Sequence, residues 1–303
     1  MPRSRFYWPF GLSLPALTLF AASAYAQEAP QGASFRVVGA AIGSGETDLG
    51  DDASLQWTRS IVGAEFLWTR SPRNSYGAEL LLGRTRYEFD ATLLGDTDLD
   101  VDEAQLSFPI RLPIGEHAGA YIAPQIQFAG EESVSFDDGA TYGAITGIAW
   151  QLSPDLLVGP GLGITTTLKD GGLDVFPFLV VDWAFADRWS LSTGSGFAAS
   201  RGPGLRVAYK PRDDLEFGLE ARYEEFEFRL NEDHDLANGV GTDTSIPAVL
   251  TARYEPNDTL RVSGFAGAAF GGSLSFEDES GDKIFDEDYD VVPIFGFSAS
   301  LRF

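Results

Sequence analysis

Hydrophobic and polar residues alternate with a period of two along most of this chain. In the clearest run, apolar residues occupy every second position, at Ala104, Leu106, Phe108, Ile110, Leu112 and Ile114. Successive side chains of a β-strand point to opposite faces, so this spacing predicts strands with one apolar face. Beyond residue 26, no segment offers the roughly 18 consecutive apolar residues that a membrane-spanning helix needs.

Short turns and longer acidic loops alternate between the predicted strands. We predict fourteen strands, near residues 34–43, 54–69, 76–90, 102–114, 118–130, 140–152, 156–168, 174–186, 189–199, 203–210, 214–229, 245–255, 259–276 and 289–303. The longer loops fall at 44–53, 91–101, 131–139, 230–244 and 277–288. Antiparallel barrels with short periplasmic turns and longer external loops have this rhythm. The prediction is therefore an all-β fold, a transmembrane antiparallel up-and-down β-barrel of about fourteen strands.

Phase breaks leave the strand number open between twelve and sixteen. Leu215, Phe217, Leu219, Ala221 and Tyr223 share one face, whereas Phe226 and Phe228 share the other. A bulge or the exit of the strand from the membrane would explain that switch.

Amphipathic aromatic residues cluster beside the short turns. They are Trp68, Trp150, Trp183, Trp189, Tyr209 and Tyr254. Such residues are enriched where a membrane meets water, so these six predict a periplasmic girdle.

The N-terminal segment has the features of an export signal. Arg3 and Arg5 precede an apolar run from Phe6 to Ala22, and Ala24 and Ala26 provide small residues before Gln27. This order is typical of a cleaved signal peptide. We therefore expect a signal peptide over residues 1–26 and a single barrel domain over 27–303.

The composition excludes several classes of function. The 303 residues include 45 acidic and 21 basic residues, giving a formal net charge of −24, and no cysteine. So strong an acidic excess argues against nucleic acid as a partner, because phosphate binding needs clustered Lys and Arg. The lack of cysteine removes disulfides, thiolate metal sites and cysteine nucleophiles.

The last predicted strand carries a family resemblance. Phe295, Phe297, Ala299, Leu301 and Phe303 alternate with small or polar residues up to the final position. This segment resembles the terminal strand of Gram-negative outer-membrane β-barrels, and the chain is similar to uncharacterised barrel families of unknown function. The resemblance implies a place in the cell outer membrane among lipid and lipopolysaccharide. It also implies that Phe303 is recognised by the barrel-assembly machinery.

Fatty-acid-transporter-type barrels also have fourteen strands. The segment between the predicted cleavage site and the first predicted strand is short, so we do not expect the N-terminal plug of that family.

Few residues suggest catalysis. His117 falls in a predicted periplasmic turn and His234 in an external loop, so the two histidines lie on opposite sides of the membrane. A lipase would have to use His234 with a serine such as Ser245. Gly159, Gly161 and Gly163 line one strand face, which indicates close packing or a bend in a barrel wall more than a phosphate-binding loop. We expect no enzyme activity.

Charge is distributed unevenly between the two predicted ends. Acidic residues concentrate in the longer loops, and their oxygen ligands suggest Ca²⁺ or Mg²⁺ binding that bridges to lipopolysaccharide, at Asp278, Asp282, Asp286 and Asp288. A solvated, self-repelling loop is the simpler interpretation. No other cofactor is expected. Basic residues on predicted inward faces form a ring near the periplasmic mouth, at Arg111, Lys210, Arg253, Arg261 and Arg302.

The leading functional hypothesis is passive passage of small solutes through the lumen. The alternative is a closed barrel with a structural or surface-binding role, and an outer-membrane lipase is a distant third. Fourteen strands lie between filled eight-stranded barrels and open porins of 16–18 strands, so the strand number does not decide between them.

Overall fold

The computed structural model describes residues 31–50, 53–71, 73–93, 96–169, 171–193, 204–233 and 236–303. The expected signal peptide and His234 lie outside the described residues. No helix in these ranges is long and apolar enough to cross a membrane.

Strands form nearly all of the described chain. The strand segments are β1 (Gly32–Ser44), β2 (Thr47–Leu49), β3 (Ala53–Ser71), β4 (Asn74–Leu93), β5 (Asp96–Ser107), β6 (Ile110–Ile114), β7 (Ala118–Glu131), β8 (Ala140–Ser153), β9 (Leu156–Thr166), β10 (Leu173–Ala186), β11 (Trp189–Thr193), β12 (Gly204–Arg212), β13 (Leu215–Arg222), β14 (Glu224–Arg229), β15 (Val240–Tyr254), β16 (Leu260–Glu277), β17 (Lys283–Tyr289) and β18 (Val292–Arg302). One short helix, α1 (Phe136–Gly139), lies between β7 and β8.

The strands form one sheet that closes into a barrel. β1 pairs antiparallel with β3 on one side and with β18 on the other, which joins the two ends of the sheet. Four pairs of segments, β1 with β2, β5 with β6, β13 with β14, and β17 with β18, continue one another along the wall. The described segments therefore make fourteen wall strands, and the predicted all-β barrel of about fourteen strands is confirmed.

The outer surface of the wall is apolar. In β18, Phe295 and Phe297 are 57% and 61% exposed, whereas Ile294, on the opposite face of the strand, is 3% exposed. Exposed large apolar side chains also recur on the neighbouring strands, which is the pattern of a lipid-facing band. Together with the closed hydrogen-bond ladder, this band makes the protein an outer-membrane β-barrel.

The predicted aromatic girdle is confirmed in position. The rings of Trp183, Trp189 and Tyr254 are exposed beside short turns, and Trp189 lies 4.8 Å from the Tyr209 ring, measured between ring centroids. The first and last strand residues, Gly32 and Arg302, lie at this edge, so short turns mark the periplasmic side.

Strands extend further on the external side than the sequence predicts. The predicted loop 91–101 is wrong because β4 continues to Leu93 and β5 begins at Asp96. The predicted loop 277–288 is also largely strand, since β17 pairs with β16. Apolar alternation stops earlier because the outward face changes from lipid-facing to charged residues.

Cross-strand ion pairs explain this extension above the lipid band. On the outward face of β4, Leu80 and Leu82 are followed by Arg84 and Arg86. Arg84 pairs with Asp102 at 2.6 Å, and Arg86 pairs with a second β5 aspartate at the same distance. These exposed pairs contribute little stability individually, but they suit strands that project into water.

Candidate functional site: a divided lumen

One wall strand bends into the barrel at its external end. β13 and β14 keep a common register with β15, and β13 pairs with β12 on its other edge. The external end of β14 meets β7, through a parallel bridge between Arg229 and Gly130. Five wall strands separate β7 from β14 on one side and seven on the other. The contact therefore spans the barrel and divides its external half.

Both faces of β14 are buried, as expected for a partition. Phe226 and Phe228 on one face are 7% and 0% exposed, and Glu225 on the other is 5% exposed. A strand in an ordinary barrel wall has one face against lipid or solvent. The predicted phase break near Tyr223 marks the point where the strand turns inward.

Arg229 ties three external connections to the end of the partition. Its Nε donates to the carbonyl oxygen of Asp138 at 3.1 Å, and its Nη1 donates to that of Asn238 at 2.7 Å. Its Nη2 donates to the carbonyl oxygen of Leu168 at 2.6 Å. The planar guanidinium can bind three acceptors at fixed angles, so one side chain fixes three loops together.

Carboxylates add further ties at the same place. The Glu131 carboxylate accepts a hydrogen bond from the Asn231 backbone nitrogen at 2.8 Å. Lys169 Nζ lies 3.1 Å from Glu277 Oε1 and 3.9 Å from Glu227 Oε1. Burial lowers the pKa of Lys169, but these neighbouring carboxylates outweigh it and hold the pKa above its ordinary value. Lys169 is therefore a cation at neutral pH.

An apolar cluster fills the external half beside the partition. The Tyr87 ring on β4 stacks on Phe228 at 5.9 Å between centroids, and Phe228 meets the edge of Phe276 at 6.3 Å. Their exposed fractions are 1%, 0% and 2%, respectively. These rings come from wall strands on different sides of the barrel, so their contacts cross the lumen.

A buried polar network lies around this cluster. Tyr87 and Tyr289 donate hydroxyl hydrogen bonds to the two oxygens of Asp243, at 3.0 and 2.9 Å. Arg59 donates to both oxygens of Glu103, at 3.0 and 2.8 Å, and lies 5.3 Å from the centre of the Phe226 ring. Pairing and hydrogen bonding offset the cost of burying these charges, so the network fixes the partition against the wall.

The periplasmic half of the lumen has a different lining. Arg206, which is 5% exposed, donates to Glu216 and Glu220 at 2.6 Å each. Arg253 donates to the same Glu216 oxygen at 2.9 Å. On another part of the wall, Arg36 pairs with a glutamate on β3 at 3.0 Å. Ion pairs therefore line these parts of the periplasmic half.

Two of the five predicted basic residues, Arg253 and Arg261, form ion pairs in this half. Arg253 contacts Glu216, and Arg261 donates to Glu255 at 2.6 Å. Lys210 is half-buried near the same Glu216, and Arg111 is half-buried on β6. Arg302 is exposed and lies opposite Arg36 in the β1–β18 register.

The sequence reasoning missed the acidic half of this arrangement. Glu216 and Glu220 share the inward face of β13 at a spacing of four, alternating with Phe217 and Leu219. That alternation, applied to acidic as well as basic residues, would have placed the glutamates beside the arginines.

Glycines let aromatic rings lie flat against one part of the inner wall. The predicted close packing of Gly159, Gly161 and Gly163 is confirmed, because a Cβ on Gly163 would overlap the Phe176 ring. Gly161 likewise accommodates a ring from β10. This wall of β7 to β10 carries a second, smaller apolar cluster, formed by Tyr121, Ile145, Phe176 and Val180.

The predicted metal ligands are engaged separately. The Asp278 carboxylate accepts hydrogen bonds from the backbone nitrogens of Ser280 and Asp282, and Asp286 pairs with Lys283 at 3.1 Å. Asp288 lies further along β17. Within the described ranges, no three acidic or histidine residues are grouped as metal ligands. Calcium or magnesium binding stays a prediction.

The catalytic candidates are not brought together in the described chain. His117 lies in the periplasmic turn after β6, whereas Ser245 is 7% exposed in β15. His234, the partner that a lipase would need, lies outside the described residues.

Phe303 lies on the lipid-facing side of the barrel seam. It is 70% exposed, and its ring centroid is 6.3 Å from that of Phe35 on β1. Its backbone also exchanges two hydrogen bonds with Phe35, at 2.8 and 3.1 Å. The final residue thus closes the ladder between the first and last strands.

Sequence comparison identifies a family without an assigned activity. The family described as Domain of unknown function (DUF6268) matches residues 120–303, which is more than half of the 303-residue chain. No curated protein matches the chain.

Several solved outer-membrane proteins are similar to the chain in structure. The COG4313 outer membrane channel from Pseudomonas putida F1 is 11% identical, with a TM-score of 0.47, over 92% of this chain and 98% of that chain. A Pseudomonas aeruginosa FadL homologue is 10% identical, with a TM-score of 0.48, over 89% of each chain. The Pseudomonas putida toluene transporter TodX is 10% identical, with a TM-score of 0.41, over 90% of each chain.

Proposed function

The chain belongs to the DUF6268 family, and we propose that it passes small solutes passively through its lumen. The observation that carries this proposal is the lining of the periplasmic half. Arg206, Glu216 and Arg253 line the inner face there, where a sealed structural barrel would be better served by apolar packing. Polar inner walls are typical of barrels that admit water and solutes.

Conductance is the direct test of this proposal. Purified, folded protein is inserted into a planar bilayer and recorded at the single-channel level, with heat-denatured protein as the control. We expect discrete current steps from the folded protein alone. If repeated insertions of folded protein give no steps, and liposomes containing it do not swell in sugar solutions, the transport proposal is wrong.

The external apolar cluster favours a second candidate function. Tyr87, Phe228 and Phe276 pack against one another inside the external half, which is the kind of packing that a closed barrel would need. A barrel that stays sealed would have a structural or surface-binding role. Absence of conductance together with normal outer-membrane assembly would favour that role.

We also propose partners that follow from the location of the barrel. Outer-membrane lipid and lipopolysaccharide would contact the apolar band, and the barrel-assembly machinery would recognise Phe303. The external aspartates Asp278, Asp282, Asp286 and Asp288 are proposed to attract divalent cations, which bind oxygen ligands. No enzymatic role is proposed, because Ser245 is buried in the lumen.

A further inference from the structure

We propose that solutes follow a row of polar side chains along the inner wall, and that this row favours neutral solutes that carry hydroxyl groups, such as sugars. The proposal rests on the proposed transport function and gives it a route and a substrate class. The polar row consists of inward-facing residues on successive wall strands, namely Glu65, Glu79, Ser107, Gln125, Thr165 and Asp174.

The strand register places the members of the polar row side by side. Each member is the register partner of the next, with Gly143 of β8 standing between Gln125 and Thr165. Neighbouring strands lie about 4.8 Å apart, so a small solute can contact two members of the row at once.

Alternation with lipid-facing residues turns the polar row towards the lumen. Leu80 on β4 and Ile164 on β9 are exposed on the outer surface of the barrel. Successive side chains of a strand point to opposite faces, so Glu79 and Thr165 beside them face inwards. Gln125 on β7 is 5% exposed, which agrees with an inward position.

The polar row climbs from the periplasmic half to the external half, because barrel strands are tilted. Glu79 lies near the periplasmic end of β4, whereas Asp174 lies beside the external end of β10. At the lower end, Glu65 pairs with Arg36 at 3.0 Å. At the upper end, Asp174 interacts electrostatically with Glu227, on the face of β14 opposite its phenylalanines. The row therefore joins the periplasmic lining to the polar side of the partition.

The polar row also runs between the two apolar clusters of the lumen. On β4, Leu81 lies two residues nearer the external end than Glu79 and packs against the larger, external cluster. On β10, Phe176 lies two residues nearer the periplasmic end than Asp174 and belongs to the smaller cluster. A polar solute that avoids both clusters would follow the line of polar side chains between them.

The groups along the row are suited to binding hydroxyl groups. The Glu79 carboxylate accepts a hydrogen bond from the Ser107 hydroxyl at 3.2 Å. Gln105 and Gln127 are register partners on β5 and β7, and they widen the row on its external side. Amides donate and accept hydrogen bonds, and carboxylates accept them, so a hydroxyl group, which does both, can bind at each of these side chains.

The charges at the two ends of the row favour neutral solutes over ions. Arg36 at the lower end and Lys169 near the upper end each pair with a glutamate, at 3.0 and 3.1 Å. Between these ends, the row holds one carboxylate, that of Glu79, beside neutral hydroxyl and amide groups. The charges and hydrogen-bonding groups that line a passage determine what it admits. This lining therefore suits hydroxyl-bearing neutral solutes.

The first test removes hydrogen-bonding groups from the route. Gln105→Leu with Gln127→Leu keeps the bulk of both side chains. Liposomes containing this variant should swell severalfold more slowly than wild type in isosmotic arabinose, with little change in single-channel conductance in potassium chloride. Ser263→Ala with Ser298→Ala is the control, because these register partners lie on the inner face away from the row, and it should leave both measurements unchanged.

A thiol block gives a second test that is applied after folding. The chain has no cysteine, so an introduced thiol is unique. Gln127→Cys beside the row and Ser263→Cys away from it both replace half-buried inner-face residues. After folding, each is treated with a water-soluble thiol reagent that adds a bulky neutral group. Labelling should slow arabinose uptake severalfold in Gln127→Cys and hardly at all in Ser263→Cys. Mass spectrometry and the heat-dependent gel shift verify labelling and folding.

Four outcomes would overturn the route or its substrate class. If the leucine variant and labelled Gln127→Cys take up arabinose at the wild-type rate, the route is wrong but the transport proposal stands. If the thiol of folded Gln127→Cys is not labelled, water does not reach the row. If wild type conducts potassium chloride but does not pass arabinose, the substrate class is wrong. If wild type neither conducts nor swells, the transport proposal fails, and the route fails with it.

Discussion

The external and periplasmic halves of this lumen are built from opposite chemistry within one continuous wall. The external half is packed with rings such as Phe228 and Phe276, which are 0% and 2% exposed. The periplasmic half carries ion pairs such as Arg206 with Glu220, at 2.6 Å. The same strand period forms both halves, so the inner-face residues alone determine whether a section is filled or charged.

This difference separates two contributions to the fold. In the external half, contacts between opposite walls resist separation of the strands, because buried apolar area is lost when they part. In the periplasmic half, the pairs named above lie between neighbouring strands. The external half should therefore dominate stability, and the periplasmic half should dominate any selectivity.

The largest expected effect comes from truncating the centre of the external cluster. Phe228→Ala should lower the free energy of unfolding by about 3–5 kcal/mol, because it leaves a cavity among rings that cannot close over it. The measurement is urea unfolding in detergent micelles, followed by tryptophan fluorescence.

The matched control is a phenylalanine on the outer surface. Phe297 is 61% exposed to lipid or detergent, so Phe297→Ala should cost about 1–2 kcal/mol. Equal costs for the two variants would show that the external half is not a packed core.

A slightly smaller effect is expected from breaking the buried ion pairs of the periplasmic half. Arg206→Met leaves Glu216 and Glu220 without their shared partner, which should cost about 3 kcal/mol by the same unfolding measurement. Arg86→Met, which breaks an exposed pair, should cost at most about 1 kcal/mol. A stable Arg206→Met protein would mean that water already screens this half.

The barrel itself could be predicted from the sequence because its signal is local. Period-two alternation, as in Ala104 to Ile114, depends only on neighbouring residues and on a lipid-facing surface. The predicted ends of β4 and β5 were too early, because strands that project into water carry charged residues on their outer face, such as Arg84, in place of apolar ones. The fold class and the strand number were predicted correctly despite that error, whereas the loop lengths were not.

The partition could not be predicted, because it depends on contacts between residues far apart in sequence. Phe226 and Phe228 signalled a change of face, but nothing nearby shows that Arg229 meets Gly130 across the barrel. The ring of basic residues was incomplete for a different reason, because the alternation was applied to basic residues alone. It left out Glu216 and Glu255, which pair with Arg253 and Arg261.

Removing the final residue should affect assembly more than either half of the lumen. Deletion of Phe303 loses the two backbone hydrogen bonds to Phe35 and the exposed terminal ring, but no lumen contact. We expect severalfold less assembled protein in outer-membrane fractions at modest expression, with unchanged conductance per inserted channel. Phe35→Ala, which keeps the terminal residue, separates recognition from seam packing. Normal yield after the deletion would contradict an assembly role.

The smallest expected effect is on ion selectivity, and it tests the periplasmic half directly. An unpaired basic ring would favour anions, but Arg253 and Arg261 lie 2.9 and 2.6 Å from Glu216 and Glu255, respectively. Each pair has nearly zero net charge, so the wild-type preference should be weak.

Fixed charges in a narrow passage act strongly on permeating ions, so uncovering these glutamates should shift selectivity towards cations. Arg253→Ser with Arg261→Ser should therefore raise the cation-to-anion permeability ratio by roughly twofold, measured as a reversal potential under a salt gradient. Glu216→Gln with Glu255→Gln should shift it the opposite way. A conducting barrel whose reversal potential ignores both double substitutions would place its constriction elsewhere, in the external half.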